Sequence, residues 1–527
     1  MSISRLRSER RAPHAALGLI AFCAVPFLLF CTVPVRSPAD VLLITSDTLR
    51  ADHLSLYGYS RPTTPNLDRL MKEGMVFERA YSTASTTPPS VVSILSGVPP
   101  DEHGVRQFYQ LMPADLRMIP DLLPEEYQSA AFISSAVLTD DAIGMARHFE
   151  HYDDFVDEKE SERGLFERSA GRTTDAVLSW LRSERDDSRP VFLWVHYIDP
   201  HGPYAPPPES LVSFEHEGLT VTGTDTGTKT YEACQSISIG PYTASASSTV
   251  TVTAPSIEMK NNTSIDGTFA ANDAVPAKID FERILDYMRI PGIDDGLEYI
   301  DRYDEEIAYL DAELGRLLDE YSRLRPLDDM LVIFTADHGE SMMDHDQWFR
   351  HGYHVYEEIV RVPLVIRGPG VSTGRSDATL SILDIAPTVL RFAGVKVPAD
   401  LDGLDLRGPL PDDSGRAVFA ESRSSGWKAA VQGKRKWMAR VRSAEGEVVE
   451  TRYYDLSKDA GELEPAEWTG ENPIAARLLE LCRSDTGVES ENTVRGTRIS
   501  EPKISPRVGE QEREKLRALG YLDESAQ

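Results

Sequence analysis

Cysteine is scarce in this sequence, with four residues among 527. Only Cys234 and Cys482 lie beyond the N-terminal apolar segment, and no pair of cysteines has the CxxC spacing of metal-binding motifs. The sequence therefore gives no support for a structural zinc site of the finger type. Cys234 and Cys482 could pair in an oxidising compartment, but two cysteines so far apart do not establish a disulfide.

Basic residues are also few: 55 Lys and Arg stand against 85 Asp and Glu, which gives a formal net charge of −30. Proteins that bind nucleic acid without sequence preference need a dense field of Lys and Arg to displace counterions. We therefore predict no nucleic-acid partner. Apolar residues make up 41% of the chain, beside 35 Gly and 34 Pro, which is typical of a globular protein rather than a disordered or collagen-like one.

One long apolar run occurs at the N-terminus, from Ala15 to Val35, and Arg5, Arg7, Arg10 and Arg11 precede it. Its length suits either the apolar region of a signal peptide or a single membrane-spanning helix. Basic residues before such a segment predict that the rest of the chain is exported. We therefore expect residues 1–36 to be a signal peptide or a membrane anchor, and the remainder to lie in the cell envelope or outside the cell.

Short apolar runs alternate with helical patterns through much of the chain, which predicts a mostly parallel sheet with helices on both faces. The predicted strands are 41–45, 130–134, 191–198, 331–335 and 362–366, and the predicted helices are 65–73, 173–185, 303–324 and 383–393. This α/β core would occupy residues 37–208 and 281–395. Ligands of such sheets bind beyond the carboxyl ends of the strands.

Two regions depart from this alternation. Residues 209–280 are rich in Thr, Ser and Gly with period-two alternation, which predicts a β-rich insertion. Residues 396–527 contain AVFAES, WKAAVQG, KWMARVR and TRYYDL, which predict a small antiparallel sheet in a C-terminal subdomain.

Three short segments could carry chemistry at the carboxyl ends of strands. Asp47 follows the first predicted strand, and Asp337 and His338 follow the strand LVIFT. Two carboxylates and one imidazole suit a divalent metal, either calcium, manganese, magnesium or zinc. In TTPPSVVSILSG, Ser90 is expected to cap a helix that starts at Val91, which would put Thr87 near the helix N-terminus. A metal or a base could activate its hydroxyl.

Five histidines fall in two other short segments. His196 and His201 lie in WVHYIDPHGPY, whereas His345, His351 and His354 lie in DHDQWFRHGYHVYEE. Imidazoles can bind a transferring oxyanion or protonate a leaving group.

Together these segments resemble the sulfatase family of the alkaline-phosphatase superfamily. The matching motifs occur in the family's order: DTLRADHLSLYGY, TPNLDRL, TPPS followed by SILSG, EHGV, DPHGPY, YDEEIAYLD, TADHGE, HGYHVYEEIVRVPLVIRGPG and DIAPTVLRFAG. The resemblance implies a sulfatase-like α/β fold and a metal-dependent ester hydrolase, with calcium as the ion implied first. The implied metal ligands are Asp47, Asp337, His338 and the nucleophile Thr87. His201 and His351 are implied to contact the ester oxygens or protonate the leaving alcohol, and Arg50 and Thr48 to line the site.

The sequence departs from the family pattern at its most characteristic position. Thr87 stands where sulfatases carry the Cys or Ser that becomes formylglycine, Val91 replaces the supporting arginine, and Thr48 replaces a second aspartate. Relatives with a plain Thr nucleophile are phosphodiesterases or phospho-group transferases. The expected substrate is therefore a sulfated or phosphorylated small molecule or glycan. A phospho-group transferase to a lipid or glycan and a catalytically inactive binding protein remain the alternatives.

Overall fold

A computed structural model describes most of the chain from Ala39 onward. The described residues are 39–159, 166–207, 212–223, 228–239, 242–253, 256–260, 283–401, 403–410, 415–422, 424–442, 447–468 and 471–484, with the pairs 493–494, 497–498 and 503–504. The apolar segment Ala15–Val35 lies outside them, so its assignment as a signal peptide or membrane anchor stays a prediction. Within the described part of the chain, no helix has both the length and the apolar character needed to cross a bilayer.

Eight strands form the central sheet. They are β1 Val41–Ser46, β2 Met75–Tyr81, β3 Gln128–Phe132, β4 His151–Asp153, β5 Val191–Tyr197, β6 Leu331–Ala336, β7 Arg361–Arg367 and β8 Gly374–Ser381. Their order across the sheet is β8-β2-β7-β6-β1-β5-β3-β4. Only β7 runs antiparallel to its neighbours in this sheet, and the other pairs are parallel. The predicted mostly parallel sheet is confirmed.

The three central strands β6, β1 and β5 are buried along their whole length. This explains their continuous apolar sequences, because helices cover both faces of such a sheet. The longer helices of the core are Pro65–Met71, Thr87–Ser96, Ala170–Ser183, Gly296–Leu324 and Ile385–Phe392. Short helical turns are Pro100–His103, Ile119–Leu122, Asp140–Ile143 and Glu357–Val360.

Two four-stranded antiparallel sheets lie outside the central one in the described part of the chain. Strands Val418–Ser422, Trp427–Gln432, Arg435–Arg442 and Glu447–Asp455 form the predicted C-terminal sheet, against which the helix Pro473–Ser484 packs. In the region of the predicted insertion, the strands Val212–Gly223, Thr228–Ile239, Tyr242–Thr253 and Ser256–Lys260 form a second four-stranded antiparallel sheet. The domain boundaries given above stay predictions.

Candidate active site

The two predicted carboxylate ligands extend neighbouring central strands by one residue. Asp47 follows β1 and donates its backbone N–H to Tyr197 O at 2.9 Å, and Asp337 follows β6 and donates to Ser46 O at 3.2 Å. Because β1 and β6 are parallel partners, their carboxyl ends bring the two side chains together. Both residues are buried, and Asp47, Asp337 and His338 each offer a ligand atom within 4.8 Å of the others.

Thr87 faces this group from the first turn of a helix. Its hydroxyl Oγ1 lies 3.4 and 3.3 Å from the two carboxylate oxygens of Asp47 and 3.3 Å from His338 Nε2. The prediction that the helix starts at Val91 is wrong: it runs from Thr87 to Ser96 with Thr86 as the N-cap. Pro88 and Pro89 are compatible with the first turn, because the backbone N–H groups there have no partner within the helix.

The loop before Thr87 is held by the C-terminal sheet. Ser85 donates its backbone N–H to Glu421 O at 3.2 Å, and Glu421 donates its own to Thr83 O at 3.0 Å. Glu421 belongs to the first strand of that sheet. The C-terminal sheet therefore contributes to the position of the Thr87 hydroxyl, although it supplies none of the predicted site residues.

Because Asp47, Asp337 and His338 are buried, a charge on any of these side chains is costly. Burial raises the pKa of Asp337 to about 7, and together with the charges of Asp337 and Glu340 it raises the pKa of Asp47 well above its usual range. Burial also lowers the pKa of His338 well below its usual range, so this ring is neutral. Within the described residues, Asp337 Oδ2 is a buried oxygen that accepts no hydrogen bond. A cation bound between these buried carboxylates would balance their charge.

Three histidine rings in the site share one orientation. The Nδ1 atom of His338 lies 2.9 Å from Gly339 O, that of His201 lies 2.7 Å from Gly202 O, and that of His351 lies 3.1 Å from Glu340 Oε1. Carbonyl and carboxylate oxygens accept hydrogen bonds, so each Nδ1 donates and each Nε2 is left for the site. The rings adjoin one another, with centroids 4.6 Å apart for His338 and His351 and 5.3 Å apart for His351 and His201.

The other predicted residues are placed differently. Arg50 points its guanidinium at Asp52 and Asp344, at 2.8 and 2.6 Å, so its contact with substrate stays a prediction. Thr48 donates its backbone N–H to Asp337 Oδ1 at 3.3 Å and has a left-handed φ of 52°. His345 and His354 both pack on Tyr356, with ring centroids 3.6 and 5.2 Å apart, beside the C-terminal sheet.

Two further residues of the site were missed at the level of sequence. Glu340 accepts from His351, and Tyr204 donates its hydroxyl to Glu340 Oε2 at 3.3 Å. Both lie inside motifs quoted above, TADHGE and DPHGPY, where their nearness to Asp337 and His201 was the available signal. The long-range pairing of Glu340 with His351 and Tyr204 is visible only in the fold.

Comparisons with known proteins show to which family the chain is similar. The sulfatase family model matches residues 39–395. An N-acetylglucosamine-6-O-sulfatase of Bacteroides thetaiotaomicron is 26% identical over 437 residues, covering 77% of this chain and 75% of the relative. An arylsulfatase of Clostridium perfringens is 23% identical over 503 residues, covering 80% of this chain and 89% of the relative.

Solved structures share the fold. A protein in complex with its substrate D-glucosamine-2-N,6-O-disulfate superposes with a TM-score of 0.61 at 19% identity, covering 86% of this chain and 99% of that one. A phosphonate monoester hydrolase from Silicibacter pomeroyi gives a TM-score of 0.57 at 19% identity, covering 87% and 96%. The family model spans more than half of the 527 residues, so the chain belongs to the sulfatase family.

Proposed function

We propose that this protein is an exported, metal-dependent ester hydrolase that uses the Thr87 hydroxyl as its nucleophile. The observation that carries the proposal is the position of Thr87 Oγ1, within 3.4 Å of both carboxylate oxygens of Asp47 and within 3.3 Å of His338 Nε2. A threonine hydroxyl is a weak nucleophile until a base or a metal activates it, and this hydroxyl adjoins both kinds of group.

The residues present fit a divalent cation. Asp47, Asp337 and His338 are buried, their ligand atoms converge, and His338 presents the Nε2 that a metal ligand requires. These three residues, with Thr87, would hold the ion. Two carboxylates and one imidazole suit calcium, manganese, magnesium or zinc, and we propose calcium first because the sequence resembles the sulfatases. When bound, the cation would lower the pKa of the Thr87 hydroxyl and offset charge on the transferring group.

The protein's own residues account for the remaining steps. The Thr87 hydroxyl gives its proton to the Asp47 carboxylate toward which it donates. Thr87 Oγ1 then attacks the sulfur or phosphorus centre, a bond from Oγ1 to that centre forms, and the bond to the leaving alcohol oxygen breaks. The leaving oxygen takes a proton from Nε2 of His351, which enters this step with both ring nitrogens protonated, because Nδ1–H is held by Glu340. His201 contacts the remaining ester oxygens. Water then attacks the Thr87 ester and passes a proton to Nε2 of His351, Thr87 Oγ1 takes its proton back from Asp47, and sulfate or a phosphoryl product is released.

The charges of the site favour esters that carry a single negative charge. Asp47, Asp337 and Glu340 contribute carboxylates, and the guanidinium of Arg50 is already paired with Asp52 and Asp344. A phosphate monoester carries nearly two negative charges at neutral pH, and a sulfate monoester or a phosphodiester carries one. The substrate is therefore a sulfate ester, a phosphodiester or a phosphonate monoester of a small molecule or glycan.

One specific feature favours a second candidate. Thr87 cannot be converted to the formylglycine aldehyde, so a covalent Thr87 ester is the intermediate that the chain can form. If a lipid or glycan hydroxyl rather than water resolved this ester, the protein would be a phospho-group transferase. The membrane anchor proposed for residues 15–35 would suit such an acceptor.

The test is turnover by the full chain, purified in detergent, with aryl sulfate, aryl phosphate monoester, aryl phosphodiester and aryl phosphonate substrates. Calcium, manganese, magnesium or zinc is supplied in turn. We expect turnover of a singly charged ester, a loss on the order of 10³-fold or more in Thr87→Val, and partial retention in Thr87→Ser. Turnover that Thr87→Val leaves unchanged would refute the nucleophile. Metal binding without turnover of any ester would refute the hydrolase and favour the transferase.

A further inference from the structure

One histidine beside the site differs in orientation from His201, His338 and His351. His196 lies on β5 and is fully buried, and its Nε2 lies 3.9 Å from Asp47 Oδ2. Its Nδ1 lies 2.9 Å from Thr45 Oγ1, a hydroxyl on the paired strand β1. In the described part of the structure, Nε2 of His196 makes no hydrogen bond. A neutral imidazole carries one proton, either on Nδ1 or on Nε2.

The Thr45 hydroxyl decides which nitrogen holds that proton. Trp194 Nε1, which can only donate, lies 3.0 Å from Thr45 Oγ1 and occupies one lone pair of the hydroxyl. If His196 Nδ1 also donated to Thr45, the Thr45 O–H would be left without an acceptor among the described residues. A buried unsatisfied hydroxyl costs about 1–3 kcal/mol. If instead Thr45 donates to His196 Nδ1, all three groups are satisfied.

We propose that His196 is a positioning residue for Asp47, held by Trp194 and Thr45 in the tautomer that directs its Nε2–H at the Asp47 carboxylate. This series consists of two hydrogen bonds: Trp194 Nε1–H donates to Thr45 Oγ1, and the Thr45 O–H donates to His196 Nδ1. At 3.9 Å the last contact is an attraction between a dipole and a charge rather than a hydrogen bond. It is strengthened by the low dielectric of a buried site.

This arrangement assigns the imidazoles of the site to two tasks. His338 donates from Nδ1 and presents an Nε2 lone pair, as a metal ligand must, and His201 and His351 donate from Nδ1 and turn Nε2 toward the substrate. His196 presents a proton instead, so it has no lone pair for a metal and acts only through Asp47. The inference rests on the proposed function in one respect, namely that Asp47 binds the metal. Groups that orient a metal ligand typically alter metal affinity by about 10- to 100-fold.

The first experiment observes the tautomer directly in the metal-free full chain, by NMR of protein labelled with ¹⁵N in its histidine rings. The His196 signals are identified by their absence in His196→Gln. We expect the nitrogen shifts of a ring protonated at Nε2. A ring protonated at Nδ1 would overturn the inference. This readout requires neither metal nor turnover, so its failure is distinct from failure of the proposed function.

The second experiment measures Mn²⁺ affinity by titration calorimetry in Thr45→Val and Thr45→Ser. Thr45→Val keeps the shape of the side chain and removes its hydroxyl, and Thr45→Ser keeps the hydroxyl. We expect Thr45→Val to weaken Mn²⁺ binding by about 10-fold and Thr45→Ser to bind like the wild type. Trp194→Phe supplies a second variant at the other end of the series and should weaken binding in the same direction. Mn²⁺ affinity equal to the wild type in both Thr45→Val and Trp194→Phe would overturn the inference.

Discussion

Replacing Glu340 by Gln tests whether His351 protonates the leaving group. The His351 ring donates from Nδ1 to Glu340 Oε1 at 3.1 Å, and both side chains are buried. The amide oxygen of the substituted side chain could still accept this hydrogen bond, but without the negative charge that strengthens it. A hydrogen bond to a charged group contributes about 1.5–3 kcal/mol, and a neutral one about 1 kcal/mol. The difference of about 0.5–2 kcal/mol corresponds to a rate loss of about 2- to 30-fold.

The size of the loss should depend on the leaving group. A nitrophenol leaves without a proton, whereas phenol and alkyl alcohols need one, so the ratio of wild-type to Glu340→Gln turnover should rise along that series. The assay is kcat/KM for a set of aryl esters of graded leaving-group acidity. Glu125→Gln, at an exposed glutamate, is the matched control and should show no loss. A loss that is uniform across the series would refute the assignment of His351 as the acid.

Three further predictions concern stability. The pKa of Asp337 is raised from 3.8 to about 7, so in the metal-free protein the free energy of unfolding falls as pH rises from about 4 through 7. Asp337→Asn should therefore raise the melting temperature by a few degrees at pH 8. The same substitution should remove metal binding. Arg61 is buried and ion-paired with Asp301 and Asp304 at 2.5 and 2.7 Å, so Arg61→Leu should cost about 3–5 kcal/mol in denaturant unfolding. A Cβ on Gly339 would lie 2.0 Å from Glu358 O, so Gly339→Ala should cost about 1–3 kcal/mol and displace His338, whereas Gly415→Ala, with open space around it, should be neutral.

The buried centre of the fold was predictable from sequence because full burial leaves a simple pattern. Strands β1, β5 and β6 are continuous apolar runs, and the residues directly after β1 and β6 are Asp47 and Asp337. Strands β2 and β8 were missed for the same reason. Both mix charged and apolar residues, and the first half of β8 is largely exposed, so neither presents an apolar run.

The first residues of the helices and the long-range hydrogen-bond partners were harder to predict from the sequence. The long helix begins at Gly296, capped by the side chain of Asp295, whereas the apolar periodicity begins only near Tyr303. At Thr87 the two prolines suggested an extended entry, but they are accommodated in the first turn of the helix. The pairings of Glu340 with His351 and of Thr45 with His196 join residues on different segments. Which residue accepts from which depends on the folded arrangement, and no spacing in the sequence encodes it.

The identity of the nucleophile is the central claim, and trapping the covalent intermediate tests it most directly. The full chain is mixed with the ester that it turns over, quenched in acid within one turnover, digested and analysed by mass spectrometry. We predict one added sulfo or phosphoryl group on the peptide that contains Thr87, at the Thr87 side chain, and no such group in Thr87→Val. A modified residue other than Thr87, or turnover that proceeds with no covalent adduct at any quench time, would contradict the account.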